Sequence, residues 1–334
     1  MTAKIRGATM TDSFSNTASA ASNRPCPADA EADGCDPEAA ELDHFLAHID
    51  DLDREQRYDE RFGFASDDQM DPGRLDAPLV FELGNIRSLL ANWAYVQSAM
   101  SIDDPDRLML DYTQTMMGFL LFNDTPDTIE IIGLGGGSLA KYCHRFLKAA
   151  SLRGIEIDPE VIAVGEQFCM PPESRRFEII CEDGAEFVRN DPYRCDVILV
   201  DGFDKDGQSA QLCSADFYRN CWSRLNAGGV FVANLCDYPW KNTAILNRLQ
   251  DYFGRSIVVP VEGEMNRIVF ALKGQWPPHD GQAIMRRARA LDLSHPMRFS
   301  PLAEDILEQM RSCEDAIADR MAADRAAWIA NARA

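Results

Sequence analysis

Between residues 108 and 274 the sequence alternates short apolar runs with stretches of helical periodicity, and this alternation limits the fold more than any other feature. The apolar runs have the length of strands: TIEII, LRGIEI, FEIICE, CDVILV, GVFVANL, SIVVPV and RIVFALK. Strands that alternate with helices are typical of a layered domain with a mainly parallel sheet. Only the short turn EGEMN separates the last two runs, so we expect them to form an antiparallel pair. The sequence therefore predicts a seven-stranded, Rossmann-like α/β domain.

The chain on either side of this domain has a different composition. Residues 1–75 carry 17 acidic and 7 basic residues and begin with few large apolar side chains, which predicts a disordered acidic tail with a helix near 39–61. Residues 77–102 contain short apolar runs broken by Gly84 and Asn85, which predicts a small β-domain, either a hairpin or a meander. Residues 280–334 are predicted to form amphipathic helices that serve packing or oligomerisation.

The composition argues against several classes of function. The formal net charge of −21 disfavours a nucleic-acid partner, because phosphates would be repelled over the whole surface. Neither a run of eighteen apolar residues nor an apolar signal-peptide block occurs, so we expect a cytoplasmic protein without a membrane partner. The ten cysteines and five histidines form no C-x-x-C motif and no Cys/His cluster. We therefore expect no metal site and no prosthetic group.

The segment 131-IIGLGGGSLAKY-142 places glycines where a strand turns into a helix. Gly133, Gly135 and Gly137 would let the backbone approach a flat ligand closely. Glu156 ends the next strand, 21 residues after Gly135, where a carboxylate can accept hydrogen bonds from both ribose hydroxyls. These features fit both a dinucleotide and an S-adenosyl compound. Asp183 with Gly184, at the end of the third strand, favours the S-adenosyl compound, whose adenine amino group needs an acceptor there.

The segment 196-DVILVDGFDKDGQSAQL-212 ends a buried strand in several carboxylates. In an open α/β sheet the binding crevice lies at the carboxyl ends of the strands. Negative charge at such a crevice is compatible with a small cationic ligand.

Taken in order, several of these segments resemble the motifs of a known family over about residues 77–273. They are VQS, IIGLGGGS, EIDPEVI, EDGAEFV, DVILVDGFDKDGQSAQLCSADFY and LNAGGVFVANL, and they look like those of the polyamine aminopropyltransferases, the spermidine and spermine synthases. The resemblance implies a small N-terminal β-domain before a Rossmann-like class I S-adenosyl-binding domain. It also implies transfer of an aminopropyl group from the co-substrate decarboxylated S-adenosylmethionine to a di- or polyamine, by a homodimer.

Carried over residue by residue, the resemblance assigns a role to each matching position. The donor-binding positions, besides the three glycines, are Gln97, Glu156, Asp183, Gly184 and Leu212. The catalytic carboxylates are Asp201 and Asp204, and Asp204 also binds the amine. Polyamine amines have pKa values near that of lysine, about 10, and are mostly protonated, which suits the two carboxylates. Further contacts to the amine are expected from Tyr112 and Gln114, and Glu262 is expected to add negative charge at the acceptor segment.

The sequence departs from the family pattern on the donor side and on the acceptor side. Gly136 stands where the family has an acid that contacts the amine of the aminopropyl group, which makes ordinary S-adenosylmethionine an alternative donor. Lys205 replaces a proline, and Glu262 replaces an aromatic acceptor contact. Two alternatives therefore stand beside aminopropyl transfer: an S-adenosylmethionine-dependent methyltransferase or other alkyltransferase, and a non-catalytic nucleoside-binding homologue.

Overall fold

The computed structural model describes residues 78–92, 95–190, 192–204, 207–236, 239–262, 265–277 and 281–313, without the side chains of 91, 92, 95, 204, 207, 208, 236 and 239–241. All of these residues belong to one of the two units into which the chain divides, Pro37–Ala334. The predicted tail over 1–75, its helix near 39–61 and the last part of the predicted C-terminal helices lie outside the described residues.

A small antiparallel meander comes first. Its strands are β1 (Leu79–Leu83), β2 (Ile86–Asn92) and β3 (Tyr95–Ser101), in the order β1-β2-β3. Of the two arrangements left open by the sequence, the meander is therefore the correct one. One face of this sheet places Leu89 and Met100 against Val161 and Phe168 of the following domain. In addition, Ser98 on β3 accepts a hydrogen bond from the N–H group of Gly136, in the glycine-rich segment of that domain.

The larger sheet has seven strands, as predicted. They are β4 (Thr128–Ile132), β5 (Ser151–Glu156), β6 (Phe177–Cys181), β7 (Cys195–Val200), β10 (Leu225–Cys236), β11 (Ser256–Pro260) and β12 (Asn266–Leu272), and their order is β11-β12-β10-β7-β4-β5-β6. The strands from β10 to β6 are parallel, whereas β11 and β12 form the expected antiparallel pair. A two-stranded ribbon, β8 (Phe203–Asp204) with β9 (Gly207–Gln208), follows β7.

Helices lie between these strands and after the last of them. They are α1 (Asp111–Met116), α2 (Ser138–Phe146), α3 (Pro159–Val164), α4 (Gly184–Asn190), α5 (Ala215–Arg224), α6 (Pro239–Phe253), α7 (Gln282–Leu291) and α8 (299–313). The helix predicted around Tyr112–Phe122 is α1 followed by a 3-10 segment, Met117–Leu121. Among the described residues, no helix combines the length and the apolar character needed to cross a bilayer.

The core lies on both faces of the sheet. In β7, Val197 and Leu199 join one apolar layer, and Ile198 and Val200 join the other. A strand that is covered on both faces reads as a continuous apolar run rather than an alternating one, because each side chain is buried in turn. Asp201 directly follows this run and is the first residue of the segment to leave the core.

Candidate active site

The site lies where β4, β5, β6 and β7 end. These four strands are neighbours and run parallel, so their carboxyl ends share one edge of the sheet. The chain continues from β4 to β5 on one side, whereas β7 lies on the other side of β4. Such a reversal of strand order opens a crevice between the loops, which is where open α/β sheets bind their ligands.

Gly133, in the loop after β4, lies in close contact with the loop after β7. Its φ is +86°, and a Cβ atom there would lie 2.2 Å from the carbonyl oxygen of Asp201. Only glycine fits this position, because the backbone conformation is left-handed and the neighbouring atom belongs to the main chain. The sequence predicts that Gly133 lets the backbone approach a flat ligand closely. The structure adds a second reason for glycine here, which is the close contact with the loop that carries Asp201.

Glu156 is buried at the end of β5 and forms hydrogen bonds with the glycine loop, residues 133–137. Its Oε2 accepts hydrogen bonds from the backbone N–H of Leu134 at 2.9 Å and of Gly135 at 3.4 Å. Its Oε1 accepts from the N–H of Asp158 at 3.1 Å. Backbone N–H groups therefore orient both oxygens of this carboxylate. They hold it against the loop that the sequence predicts to contact the S-adenosyl co-substrate.

Asp201 has a bonded partner for each of its carboxylate oxygens. Oδ1 accepts a hydrogen bond from Nδ2 of Asn234 at 2.9 Å, and Oδ2 accepts one from the Tyr112 hydroxyl at 3.1 Å. Tyr112 lies on α1, so two distant segments meet at this carboxylate. The Tyr112 hydroxyl also lies 3.5 Å from the carbonyl oxygen of Gln97 on β3.

The surroundings of Asp201 change its acidity. Burial raises the pKa of its carboxyl group to about 6, although the hydrogen bonds from Asn234 and Tyr112 act in the opposite direction, and the nearby charge of Glu156 raises the pKa further. A carboxylate with a pKa near neutrality is a better proton acceptor than an exposed aspartate. At pH 7 Asp201 is still mostly ionised.

Asp183, Gly184 and Leu212 lie together at the ends of β6 and β7. The Oδ1 atom of Asp183 accepts hydrogen bonds from the N–H groups of Ala185 at 2.7 Å and Glu186 at 3.1 Å, so this carboxylate caps α4. Leu212 is buried, and one of its methyl groups would lie 3.4 Å from a Cβ atom at Gly184. An apolar wall beside a fixed carboxylate is suited to an adenine ring and its amino group.

Gly136 is enclosed rather than open. Its N–H donates to Oγ of Ser98 at 2.8 Å, and a Cβ atom there would lie 2.9 Å from both the Ser98 Cβ and the Phe168 ring. Lys141, which is buried, donates from Nζ to the Phe168 carbonyl oxygen at 2.9 Å and so holds the backbone of Phe168 in place. An acidic side chain at position 136 would therefore require Ser98 and Phe168 to move.

Of three further predicted site residues, one forms hydrogen bonds within its own segment, one is exposed, and one has a side chain that the structure does not describe. Gln114 donates to the Leu108 carbonyl oxygen at 3.1 Å and to Asp111 Oδ1 at 3.3 Å, so its amide turns back on its own segment. Glu262 is exposed, and its charge is the smallest of several causes, after burial and two nearby glutamates, that raise the pKa of Asp305 on α8. The backbone of Asp204 pairs with Gly207 in the β8-β9 ribbon, but its side chain lies outside the described part of the chain.

Two residues of this site were not identified in the sequence. Asn234 is buried near the end of β10 and bonds Asp201, and Asn266 at the start of β12 donates from Nδ2 to Asn234 Oδ1 at 2.9 Å. The signal for Asn234 was present, because it is a polar residue within the apolar run GVFVANL. Asn266 gave no such signal, since it stands in a predicted turn.

Known proteins resemble this chain in sequence and in fold. The family model described as the spermine/spermidine synthase domain matches residues 109–262, which include most of the site. A polyamine aminopropyltransferase from Chromobacterium violaceum is 39% identical over 222 residues, which are 66% of this chain and 85% of that protein. A solved spermidine synthase in complex with the transition-state analogue AdoDATO shares the fold, with a TM-score of 0.53, 20% identity and coverage of 69% of this chain and 85% of that one.

A more distant similarity extends to methyltransferases. The eEF1A lysine and N-terminal methyltransferase homologue of Drosophila melanogaster is 27% identical over 177 residues, which are 48% of this chain but only 26% of that protein. The aminopropyltransferase relative is matched at higher identity and over most of its length. The chain therefore belongs to the spermine/spermidine synthase family.

Proposed function

We propose that the protein is an aminopropyltransferase that transfers the aminopropyl group of decarboxylated S-adenosylmethionine to a diamine or polyamine. The observation that carries this proposal is the Asp201 carboxylate, oriented by Tyr112 and Asn234 at the carboxyl edge of the sheet. Its raised pKa suits it to receive a proton from an amine. The family membership supports the same activity.

The reaction requires a neutral amine nitrogen to attack the carbon next to the sulfonium sulfur of the donor. A new C–N bond forms, the C–S bond breaks, and its electron pair leaves with the sulfur as neutral 5′-methylthioadenosine. The product nitrogen is then cationic and must lose a proton. We propose that Asp201 orients the attacking nitrogen, stabilises its positive charge and accepts that proton. Alignment of the two reactants supplies much of the remaining acceleration.

The donor is proposed to lie along the edge formed by the glycine loop, Glu156 and Asp183. Glu156 would accept hydrogen bonds from the ribose hydroxyls, as the acidic residue at the corresponding position does in dinucleotide sites. Asp183 would accept a hydrogen bond from the adenine amino group, and Leu212 would pack against the adenine ring. Asp204 is proposed as a second carboxylate for the acceptor amine. The homodimer and the cytoplasmic location stay predictions from the sequence.

The direct test is product formation. The protein is incubated with decarboxylated S-adenosylmethionine and either putrescine or spermidine, and the amines are examined by mass spectrometry. We expect a product heavier by one aminopropyl unit and an equal amount of 5′-methylthioadenosine. If both putrescine and spermidine stay unchanged while the folded protein binds the donor, aminopropyl transfer to these amines is wrong.

A second candidate function is favoured by one observation, which is the absence of an acid at Gly136. Without a carboxylate there, discrimination against the carboxylate of ordinary S-adenosylmethionine would be weaker. The same assay with ordinary S-adenosylmethionine separates the two functions. A methylated amine together with S-adenosylhomocysteine would support alkyl transfer of the methyltransferase type, whereas donor binding without any consumed acceptor would support a nucleoside-binding protein.

The acidity of Asp201 predicts a particular pH dependence of the transfer. With donor saturating, kcat/KM for the amine should rise with pH, because a larger fraction of the amine is neutral. Below the Asp201 pKa of about 6 a second group must also lose its proton. The plot of log kcat/KM against pH should then have a slope of about two below that pKa and about one above it. A slope of one throughout would show that Asp201 need not be ionised.

A further inference from the structure

Two asparagines form a hydrogen-bonded series that ends at Asp201. Nδ2 of Asn266 donates to Oδ1 of Asn234, and Nδ2 of Asn234 donates to Oδ1 of Asp201, both at 2.9 Å. The three side chains come from β12, β10 and the end of β7, which are consecutive in the sheet. Asn234 is only 2% exposed, so water has little access to its amide.

The direction of this series depends on the charge of Asp201. An ionised carboxylate can only accept hydrogen bonds, so it requires the NH₂ group of Asn234 rather than its oxygen. Asn266 occupies the Asn234 oxygen with a donor, and this leaves the Asn234 NH₂ group facing Asp201. If the Asn234 amide turned over, its oxygen would face a carboxylate oxygen, and Asp201 would need a proton to make that contact favourable.

We propose that Asn234 and Asn266 are positioning residues, which hold Asp201 as an ionised acceptor with Oδ2 directed toward Tyr112 and the attacking amine. Neither residue needs to touch either substrate. Asn234 acts on Asp201 directly, and Asn266 acts only through Asn234. This proposal rests on the proposed function for its kinetic consequence, but its effect on Asp201 does not require turnover.

The titratable groups that face Asp201 are few among the described side chains. Tyr112 donates to it from α1, and Glu156 raises its pKa from the end of β5. Asn234 faces it from β10 without charge. Loss of the Asn234 hydrogen bond therefore leaves burial and Glu156 opposed by Tyr112 alone, and the pKa of Asp201 must rise.

The test uses Asn234→Leu and Asn266→Leu, which keep similar volume but remove the donors. A hydrogen bond to a charged group contributes about 1.5–3 kcal/mol, so we expect the lower break in the pH profile of kcat/KM to move upward by about one pH unit in Asn234→Leu. The shift should be smaller in Asn266→Leu, because Asn234 can still donate to Asp201 there. Near pH 6 the kcat/KM of Asn234→Leu should fall by about fivefold, and near pH 9 the difference should nearly disappear, because Asp201 is then ionised in every variant.

The double variant tests the order of the series. If Asn266 acts only through Asn234, then Asn234→Leu/Asn266→Leu should shift the profile no more than Asn234→Leu alone. Additive shifts would show that Asn266 influences Asp201 by another route and would overturn this part of the proposal.

Asn226→Leu is the matched control. Asn226 lies at the other end of β10 and donates from Nδ2 to Oδ1 of Asp196, at the start of β7, at 2.8 Å. The control thus loses an asparagine-to-aspartate bond between the same two strands, far from the site. We expect its pH profile to match that of the wild type, and a shift equal to that of Asn234→Leu would point to a general effect on the sheet.

A second measurement separates this proposal from the proposed function. The Asp201 carboxyl carbon can be followed by ¹³C NMR during a pH titration, with Asp201→Asn used to assign its signal. The titration midpoint should be higher in Asn234→Leu and Asn266→Leu than in the wild type, whether or not the protein transfers aminopropyl groups. Unchanged midpoints in both folded variants would overturn the positioning role, even if the wild type is active.

Discussion

An Asp201→Asn variant is expected to lose turnover by about 10²- to 10⁴-fold, because general acid–base catalysis typically contributes that much. The amide has almost the same shape as the carboxylate and can still accept from Tyr112 or Asn234. It cannot take up a proton from the amine, and it offers no negative charge to the nitrogen as that atom becomes cationic. The loss should therefore fall on kcat rather than on donor binding.

Asp196→Asn is the control for this prediction. Asp196 begins the strand that Asp201 follows, and its Oδ2 accepts hydrogen bonds from the N–H groups of Asp127 at 2.9 Å and Thr128 at 3.0 Å. The same chemical change is thus made at the opposite edge of the sheet. The rates should be measured with saturating donor and amine, and donor affinity by calorimetry. If Asp201→Asn turned over as fast as Asp196→Asn, Asp201 would not be the catalytic carboxylate.

The position of the site could be predicted from the sequence because it follows from strand order and strand ends. Asp201, Glu156 and the glycines each come directly after a buried apolar run, and the carboxyl ends of parallel strands share one edge of a sheet. That reasoning needs only the periodicity of the chain and the rule for open α/β sheets. The contact between Tyr112 and Asp201 was not predicted, since the two residues lie 89 positions apart and the family resemblance implied only that Tyr112 contacts the amine.

The orientation of side chains could not be predicted in this way. Asp183 has a carboxylate oxygen that caps α4, and Glu262 is exposed, although both follow strands that end at the same edge. Such details depend on which backbone donors and neighbouring helices each side chain meets. Periodicity indicates the buried face of an element, but it does not give the partner of a polar group at its end.

The most informative omission was the series that begins at Asn266. A polar residue in a predicted turn is normally solvated, so nothing in the local sequence distinguishes Asn266 from its neighbours. Its role arises because β12 pairs antiparallel with β10, which brings Asn266 opposite Cys236 and beside Asn234. Register between strands that are distant in the chain is set by the whole sheet and is not a property of either segment.

A Glu156→Ala variant is expected to bind the donor at least about 100-fold more weakly, because two hydrogen bonds from ribose hydroxyls to a carboxylate contribute about 1.5–3 kcal/mol each. The substitution also removes the acceptor for the N–H groups of Leu134 and Asp158. The glycine loop should therefore be less well ordered, and the free energy of unfolding should fall by about 1–3 kcal/mol. Calorimetry with the donor and thermal unfolding measure the two effects.

Glu160→Ala provides a control with the same change in net charge. Glu160 is exposed in the first turn of α3, four residues beyond Glu156, and its side chain faces solvent. Its donor affinity should stay within about twofold of the wild type, since an exposed charge is well screened. Equal losses in both variants would mean that Glu156 acts only through the overall charge of the site.

A comparison of two ligands tests which group of the co-substrate Glu156 binds. Decarboxylated S-adenosylmethionine carries a sulfonium charge that any nearby carboxylate attracts, whereas 5′-methylthioadenosine has the same ribose and adenine without that charge. If Glu156 binds the ribose hydroxyls, Glu156→Ala should weaken both ligands by a similar factor. If the loss were confined to the charged donor, Glu156 would be a partner of the sulfonium group, and the ribose would have to find its acceptor elsewhere on the edge of the sheet.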